Sequence, residues 1–371
     1  MQHHFFLRRL RRTQNAMSDR DLDWMIITPG ADLCYLSGLY VKDYRNFCAG
    51  IFSENSEPVL VAANAAVNQA AENIWFTDVQ GFSDQQELNR ILKSILFSGS
   101  NRKSQHIGVL ERKMYLWEYN ILNSLNGEIK FHDVTPLLSQ MRMIKDIYEL
   151  KCIRNSIVIA EKGMQTAFEY LGEGKSELAI AKEIEFTMKM KGSEGLAFDT
   201  IVASGKRSAV FNPKATAKKI KKHEAVIIDL GAIRKDYVSD ITRTFAVGEL
   251  EPELKKIYEI VLEAQHAALD RIRPGATIGE VDAAAREIIN RHGYGPYFTY
   301  FTGHGIGLEM GEDPIIRSNN QLKIQDGMVF TVEPGIYLLN KGGVRIEDDV
   351  LTTKNGCRLL SRFPRNLSES I

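Results

Sequence analysis

Five side chains in the second half of the chain have the types and spacing of a metal-hydrolase centre: Asp229, Asp240, His304, Glu333 and Glu347. The run Glu224-Ala-Val-Ile-Ile-Asp229-Leu-Gly231 is almost wholly apolar, yet it carries an aspartate. It leads through Ile233-Arg-Lys-Asp236 into Tyr237-Val-Ser-Asp240-Ile-Thr-Arg-Thr-Phe245. A hairpin turning at Arg234-Lys235 pairs 233 with 236 and 229 with 240, which puts both aspartates on one face, with β-carbons ~4.5–5.5 Å apart. The pattern recurs in Gly327-Met-Val-Phe-Thr-Val-Glu333-Pro-Gly335, which turns through Asn340-Lys-Gly-Gly343 and returns as Val344-Arg-Ile-Glu347. A turn centred on Asn340 sets Glu333 opposite Glu347.

Like charges at that range repel, and burying four carboxylates uncompensated costs several kcal/mol each. Two divalent cations balance four carboxylates, and a carboxylate can bridge two ions. His304, in Thr302-Gly-His-Gly-Ile-Gly307, is the nearest nitrogen donor, and its flanking glycines let the backbone approach a crowded site. Oxygen-rich ligation with one nitrogen suits Mn²⁺, Co²⁺, Fe²⁺ or Zn²⁺, and the lack of thiolate argues against a structural zinc. Each feature alone has a plainer reading. A lone strand aspartate usually marks an edge or a turn, and a histidine such as His304 is by itself more often a satisfied polar residue than a ligand; His223, His266 and His292, in charged or helical surroundings, are expected to have ordinary surface roles. The joint occurrence of these features carries the metal reading.

The elements that must position these groups follow from length and pattern. A chain of 371 residues exceeds one ordinary core, so two domains are expected, 1–139 and 140–371. The first alternates expected strands (24–28, 58–62, 106–110) with expected helices (84–96, 115–125), a small α/β domain lacking a glycine-rich phosphate loop. The basic N-terminal segment predicts an amphipathic helix leading into Trp24-Met-Ile-Ile27, in preference to a targeting presequence. Asp146-Ile-Tyr-Glu149 reads as a capping box opening a long helix towards Leu171. An internal repeat is expected as well. Gly174-Lys-Ser…Gly192 and Gly275-Ala-Thr…Gly293 each enter a helix at Ser or Thr and leave it at a glycine, 101 residues apart.

Composition excludes several classes of function. Lys plus Arg equals Asp plus Glu, 47 each, so nothing global asks for a nucleic-acid partner. No apolar run reaches the ~18 residues of a membrane span. Four scattered cysteines without a C-x-x-C pair predict reduced thiols and a cytoplasmic location.

Four stretches in order, Ile228-Asp-Leu-Gly-Ala…Ser239-Asp-Ile-Thr-Arg243, Thr302-Gly-His-Gly-Ile-Gly-Leu308, Thr331-Val-Glu-Pro-Gly-Ile-Tyr337 and Gly343-Val-Arg-Ile-Glu-Asp348, resemble the pita-bread metallopeptidase family. That family includes prolidase, Xaa-Pro aminopeptidase, methionine aminopeptidase and creatinase. Residues 1–139 resemble the creatinase-type N-terminal domain. The resemblance implies an α/β N-terminal domain followed by an α+β pita-bread domain with an internal pseudo-repeat. It also implies a homodimer and two divalent ions, Mn²⁺ foremost. By the match, Asp229 would chelate one ion and His304 and Glu333 the other, with Asp240 and Glu347 bridging. A metal-bound hydroxide would cleave an amide bond of a small peptide, as in an Xaa-Pro aminopeptidase or dipeptidase, with Glu333 carrying protons. Thr242 and Arg345 would orient the bridging carboxylates.

Three positions depart from the family pattern: Asn212, Tyr300 and Gly311 stand where substrate-binding histidines are usual. These departures imply a rebuilt peptide-handling shell. They leave open a small non-peptide amide or cyclic amidine as substrate, or a weakly active binding homologue.

Overall fold

Apolar strands and amphipathic helices build two compact units, Met1–Arg142 and Met143–Ile371. The structure is a computed structural model describing residues 3–41, 44–97, 104–125, 127–367 and 369–370.

In the first unit a six-stranded mixed sheet runs in the order Asp78–Phe82, Val59–Ala63, Cys48–Ser53, Trp24–Ile27, Ser104–Val109, Glu128–Asp133. Helix Gln85–Phe97 buries Leu88, Leu92 and Leu96 at four-residue spacing, the stripe a helix needs to cover a sheet. The expected N-terminal helix forms over His3–Ser18 and buries Arg9, Leu10, Thr13 and Met17. The anticipated strands and helices appear within one or two residues of their expected ends. Three strands were not anticipated. Two of them, Asp78–Phe82 and Glu128–Asp133, are the sheet's edges, where burial is partial and the apolar signal weak.

The second unit opens on helix Ile147–Tyr170, capped as expected: the Asp146 carboxylate accepts from the Glu149 amide, and the Glu149 carboxylate from the Asp146 amide. Its two halves repeat. Gly174 N–H donates to the Ile220 carbonyl, Ile220 N–H to Lys175, Glu177 N–H to Lys218 and Leu178 N–H to Thr216. The same ladder recurs as Gly275 to Ile324, Ile324 to Ala276, Ile278 to Leu322 and Gly279 to Asn320. Each ladder leads into a helix, Glu177–Met190 or Ile278–Arg291, which ends beside a left-handed glycine, Gly192 or Gly293. Each half also owns a sheet. One runs Glu369–Ser370, Ile241–Val247, Glu224–Leu230, Ile201–Ser204, and the other Met310–Ile316, Gly303–Ile306, Val329–Val332, Asp348–Thr353, Gly356–Leu359.

The first hairpin differs from expectation by two residues. Asp229 pairs with Thr242, not Asp240, and Val238 with Ile233. The turn is Lys235-Asp236, both left-handed at φ 53° and 65°, the two-residue geometry that matches strand twist. A shift of two keeps every side chain on its face, so both aspartates still point the same way. The second hairpin keeps the expected register. Val332 pairs with Asp348 on one side and Gly335 with Arg345 on the other, so Glu333 and Glu347 fall opposite each other between two ladders. Asn340 is the middle residue of the connecting loop, at φ 69°.

Candidate metal centre

The five acid and imidazole groups converge. One ligand atom each from Asp240, His304 and Glu347 lie within 4.8 Å of one another. His304 Nε2 stands 3.5 Å from both Asp240 Oδ2 and Glu333 Oε1. Asp229, Asp240, His304 and Glu333 together line one cleft of 480 Å³. Donors sharing an ion at ~2.0–2.2 Å each must lie within about 4.4 Å of one another, a few tenths of an ångström tighter than this.

Each group is held by a named neighbour. Thr242, opposite Asp229 in the ladder, donates its hydroxyl to Glu347 Oε2 at 2.7 Å. Arg345 was expected on a bridging carboxylate; its Nη2 instead donates to Asp229 Oδ2 at 2.6 Å. The strand carrying Arg345 packs against Asp229's strand, and Arg345 reaches Glu347 through Thr242, to which its Nε donates at 3.1 Å. Its Nη1 donates to the Tyr337 hydroxyl at 2.9 Å. The Asp240 amide donates to Asp349 Oδ2 at 3.1 Å. Thr331 donates its hydroxyl to Glu333 Oε1 and accepts from the His304 amide. Thr331, Tyr337 and Asp349 were missed from sequence. Thr331 and Asp349 sit two residues from a proposed ligand, on the same strand face, which was the available signal.

Two observations test whether cations fit. Asp229 Oδ1, Asp240 Oδ1 and Glu347 Oε1 are buried without a hydrogen-bond partner. Unpaired buried carboxylate oxygens are costly, and the crowding of Asp240 and Glu347 with His304 within 4.8 Å calls for positive charge there. The second is the imidazole. Nδ1 faces the Gly305 carbonyl at 3.1 Å, and a carbonyl only accepts, so Nδ1 carries the proton. That leaves Nε2 directed at the carboxylates of Asp240 and Glu333, the orientation in which a histidine held at Nδ1 can ligate a metal ion. Electrostatics agree: burial, then Glu347 and Asp229, pushes Asp240 well above the usual carboxylate range. Glu347 is pushed well up by burial and then Glu333, and Glu333 is raised by burial although His304 and Arg345 pull it down. The donor set therefore fits divalent cations.

The cleft above this floor is aromatic. Phe211 and Tyr300 lie 4.1 Å apart, Tyr300 and Phe301 3.8 Å apart (ring centroids), with Phe198, Ile201 and Met310 beside them. Asn212, Tyr300 and Gly311 all line it, as their positions predicted. Asn212 and Gly311 both adopt positive φ, 48° and 73°. A β-carbon at Gly311 would meet nothing within 4 Å, so only its backbone conformation resists a side chain there. The Tyr300 phenol is raised by burial and by Glu333.

Comparison with known proteins places this geometry in a family. The Creatinase/Prolidase N-terminal domain profile matches residues 9–144, and that of metallopeptidase family M24 matches residues 151–354. The Xaa-Pro dipeptidase of Pyrococcus furiosus is 37% identical over 97% of this chain and 99% of its own length. The prolidase of Thermococcus sibiricus superposes with a TM-score of 0.91 at 32% identity, over 98% of this chain and 99% of that one. The X-Pro aminopeptidase of Thermotoga maritima gives 0.87 at 34% identity, over 97% and 99%. With a matching profile over more than half its length and such relatives end to end, the chain belongs to metallopeptidase family M24.

Proposed function

We propose that this metallopeptidase hydrolyses dipeptides of the Xaa-Pro type, with Asp229, Asp240, His304, Glu333 and Glu347 holding two divalent ions. The observation that carries this is the set of partnerless carboxylate oxygens on Asp229, Asp240 and Glu347, the first two of which line an aromatic cleft. The relatives named Xaa-Pro dipeptidase and prolidase, matched over nearly their whole length, support it. When bound, the two ions supply an acidified water and polarise the scissile carbonyl.

The chain's own groups do the rest. Glu333, raised by burial and tethered at Oε1 by the Thr331 hydroxyl, takes a proton from the attacking water and returns it to the leaving nitrogen. Arg345 and Thr242 fix Asp229 and Glu347. Tyr300 and Asn212 offer hydrogen-bond donors to the substrate, while Gly311 offers none. Phe198, Phe211, Phe301 and Met310 favour an apolar first residue.

Mn²⁺ is the ion we infer, since four carboxylates and one imidazole make a hard, oxygen-rich set. Among the described residues no helix is long and apolar enough to cross a membrane. Cys48, Cys152 and Cys357 are free thiols, which supports a reducing, cytoplasmic setting, and the family resemblance supports a homodimer.

A panel of dipeptides tests the reading, run on metal-stripped protein reloaded separately with Mn²⁺, Co²⁺ and Zn²⁺. Hydrolysis should be fastest with an apolar residue before proline and Mn²⁺ present. Failure of every loaded form to cleave any dipeptide would overturn it.

A further inference from the structure

Glu177 is fully buried, lies outside the metal centre and accepts an unusual number of hydrogen bonds. Oε1 accepts from Ser204 N–H (2.9 Å), Ser204 Oγ (2.8 Å) and Arg207 Nε (3.2 Å). Oε2 accepts from Arg207 Nε (3.0 Å), Thr216 N–H (3.1 Å) and Thr216 Oγ1 (2.7 Å). Ser204 and Thr216 bracket a segment whose middle, Phe211, Asn212, Pro213 and Lys214, lines the cleft. One carboxylate therefore closes both ends of the loop. Arg207 extends the clamp inwards, donating from Nη2 to the Lys214 carbonyl at 2.5 Å.

The internal repeat supplies a control. Glu177 and Ile278 hold the same place in the two ladders, each the first residue of its helix. The second half carries its glutamate two positions later, at Glu280, where it closes the helix cap and accepts from Arg271 Nη2 at 2.6 Å. The loop facing Ile278 closes on its own Asn320 side chain, which donates to the Ile315 carbonyl and accepts from the Leu322 amide. Residues 317–322 contribute nothing to the described lining of the cleft. So the buried acid occurs in the half whose loop borders the substrate, and an apolar residue stands in the half whose loop does not.

We propose that Glu177 is a positioning residue: its carboxylate holds residues 204–216 as a pre-formed wall, so that Phe211, Asn212 and Lys214 meet the substrate without first being ordered. The inference rests on the reading of the cleft as a dipeptide site. Ordering a dozen residues at the moment of binding would be charged against affinity, and a loop anchored beforehand avoids that cost. The consequence falls on substrate affinity, while the metal floor on other strands keeps its own supports.

The experiment uses full-length, Mn²⁺-loaded protein. Glu177→Gln replaces one acceptor oxygen with an NH₂ group that faces other donors, so at least one charge-assisted hydrogen bond is lost. Dipeptide KM should rise about tenfold, the change one such bond produces, with kcat altered less than about threefold. Trypsin cleavage after Lys214, mapped by mass spectrometry, should accelerate about tenfold, because cutting an anchored loop requires local opening. Mn²⁺ affinity should stay within about twofold of the parent's, well under the tenfold that one lost bond costs. Thr216→Val is the milder variant for the case where Glu177→Gln does not fold. It removes one hydroxyl donor and should shift KM and nicking in the same direction by about threefold. Unchanged nicking in both variants overturns the clamp, and so does faster nicking with unchanged KM. Should the unmodified protein cleave no dipeptide, the functional reading fails, and the nicking rates alone then decide the clamp.

Discussion

Glu347 and Asp348 are consecutive, acidic and buried, and they serve different parts of the molecule. Asp348 faces the helical side, where it accepts from Arg243 Nη2 (2.7 Å), Ser361 Oγ (2.7 Å) and Gln265 Nε2 (2.9 Å). Glu347 faces Asp240 and His304 with one hydroxyl partner, Thr242, and an Oε1 that has none. Strand alternation alone separates them. The protein completes Asp348 with its own donors and leaves Glu347 Oε1 without one, the oxygen our proposal gives to a cation. The two acids should therefore respond oppositely to metal and to mutation.

The largest effect expected is on the proton carrier of the cleft side. Glu333→Gln retains an oxygen donor and loses the proton site, so kcat should fall by ~10²–10⁴ while part of the metal binding survives. Steady-state kinetics with bound metal quantified would show this, and near-normal turnover would mean the proton moves elsewhere.

The next contrast is in stability. Asp348→Ala leaves the buried Arg243 with carbonyl acceptors but no counter-charge, which should cost ~3–5 kcal/mol by urea unfolding, with or without chelator. Glu347→Gln should do the reverse in metal-stripped protein. Burial raises the folded-state pKa of Asp240, Glu333 and Glu347, so their protonated forms suit the fold. For an acid with a raised pKa, stability is fully present below the unfolded value near ~4 and is lost as pH rises through the folded one. Removing one charge should thus raise the urea midpoint of stripped protein at pH ~8 and change little at pH ~5. Equal losses for both variants at pH 8 would erase the distinction.

The smallest effect concerns support. Thr242→Val keeps all five ligating side chains but removes the hydroxyl on Glu347, and Mn²⁺ affinity should weaken ~10–100-fold. Titration calorimetry giving parental affinity would show that Glu347 is held by the metal alone.

Much of this was legible before the fold was seen. Apolar strands carrying single acids, the Asn340 turn and the glycine-framed His304 all reflect local chemistry, and they led to five residues that the fold brings near one another. The first hairpin's register was misread by two, because Arg234-Lys235 and Lys235-Asp236 are both plausible turns and only the backbone angles distinguish them. Arg345 donates to Asp229 where a bridging carboxylate was expected, since its partner depends on which strands pack together, a tertiary fact. Asp348's network was invisible, as it draws on Arg243, Gln265 and Ser361 from three separate segments. Glu177 appeared only as part of a repeat motif. Its partners lie up to 39 residues away, and no periodicity announces them.

The second hairpin has one register maintained by two different sheets, with Glu333 and Glu347 in the gap between them. Its tip, residues 339–341, is fixed by neither sheet, and Leu339 there is largely exposed. The fourteen-residue interval between the two acids is therefore a historical length and not a physical requirement. Inheritance could lengthen the tip, or an engineer could splice a reporter peptide into it, and the acids would still meet, because the ladders on either side set their distance.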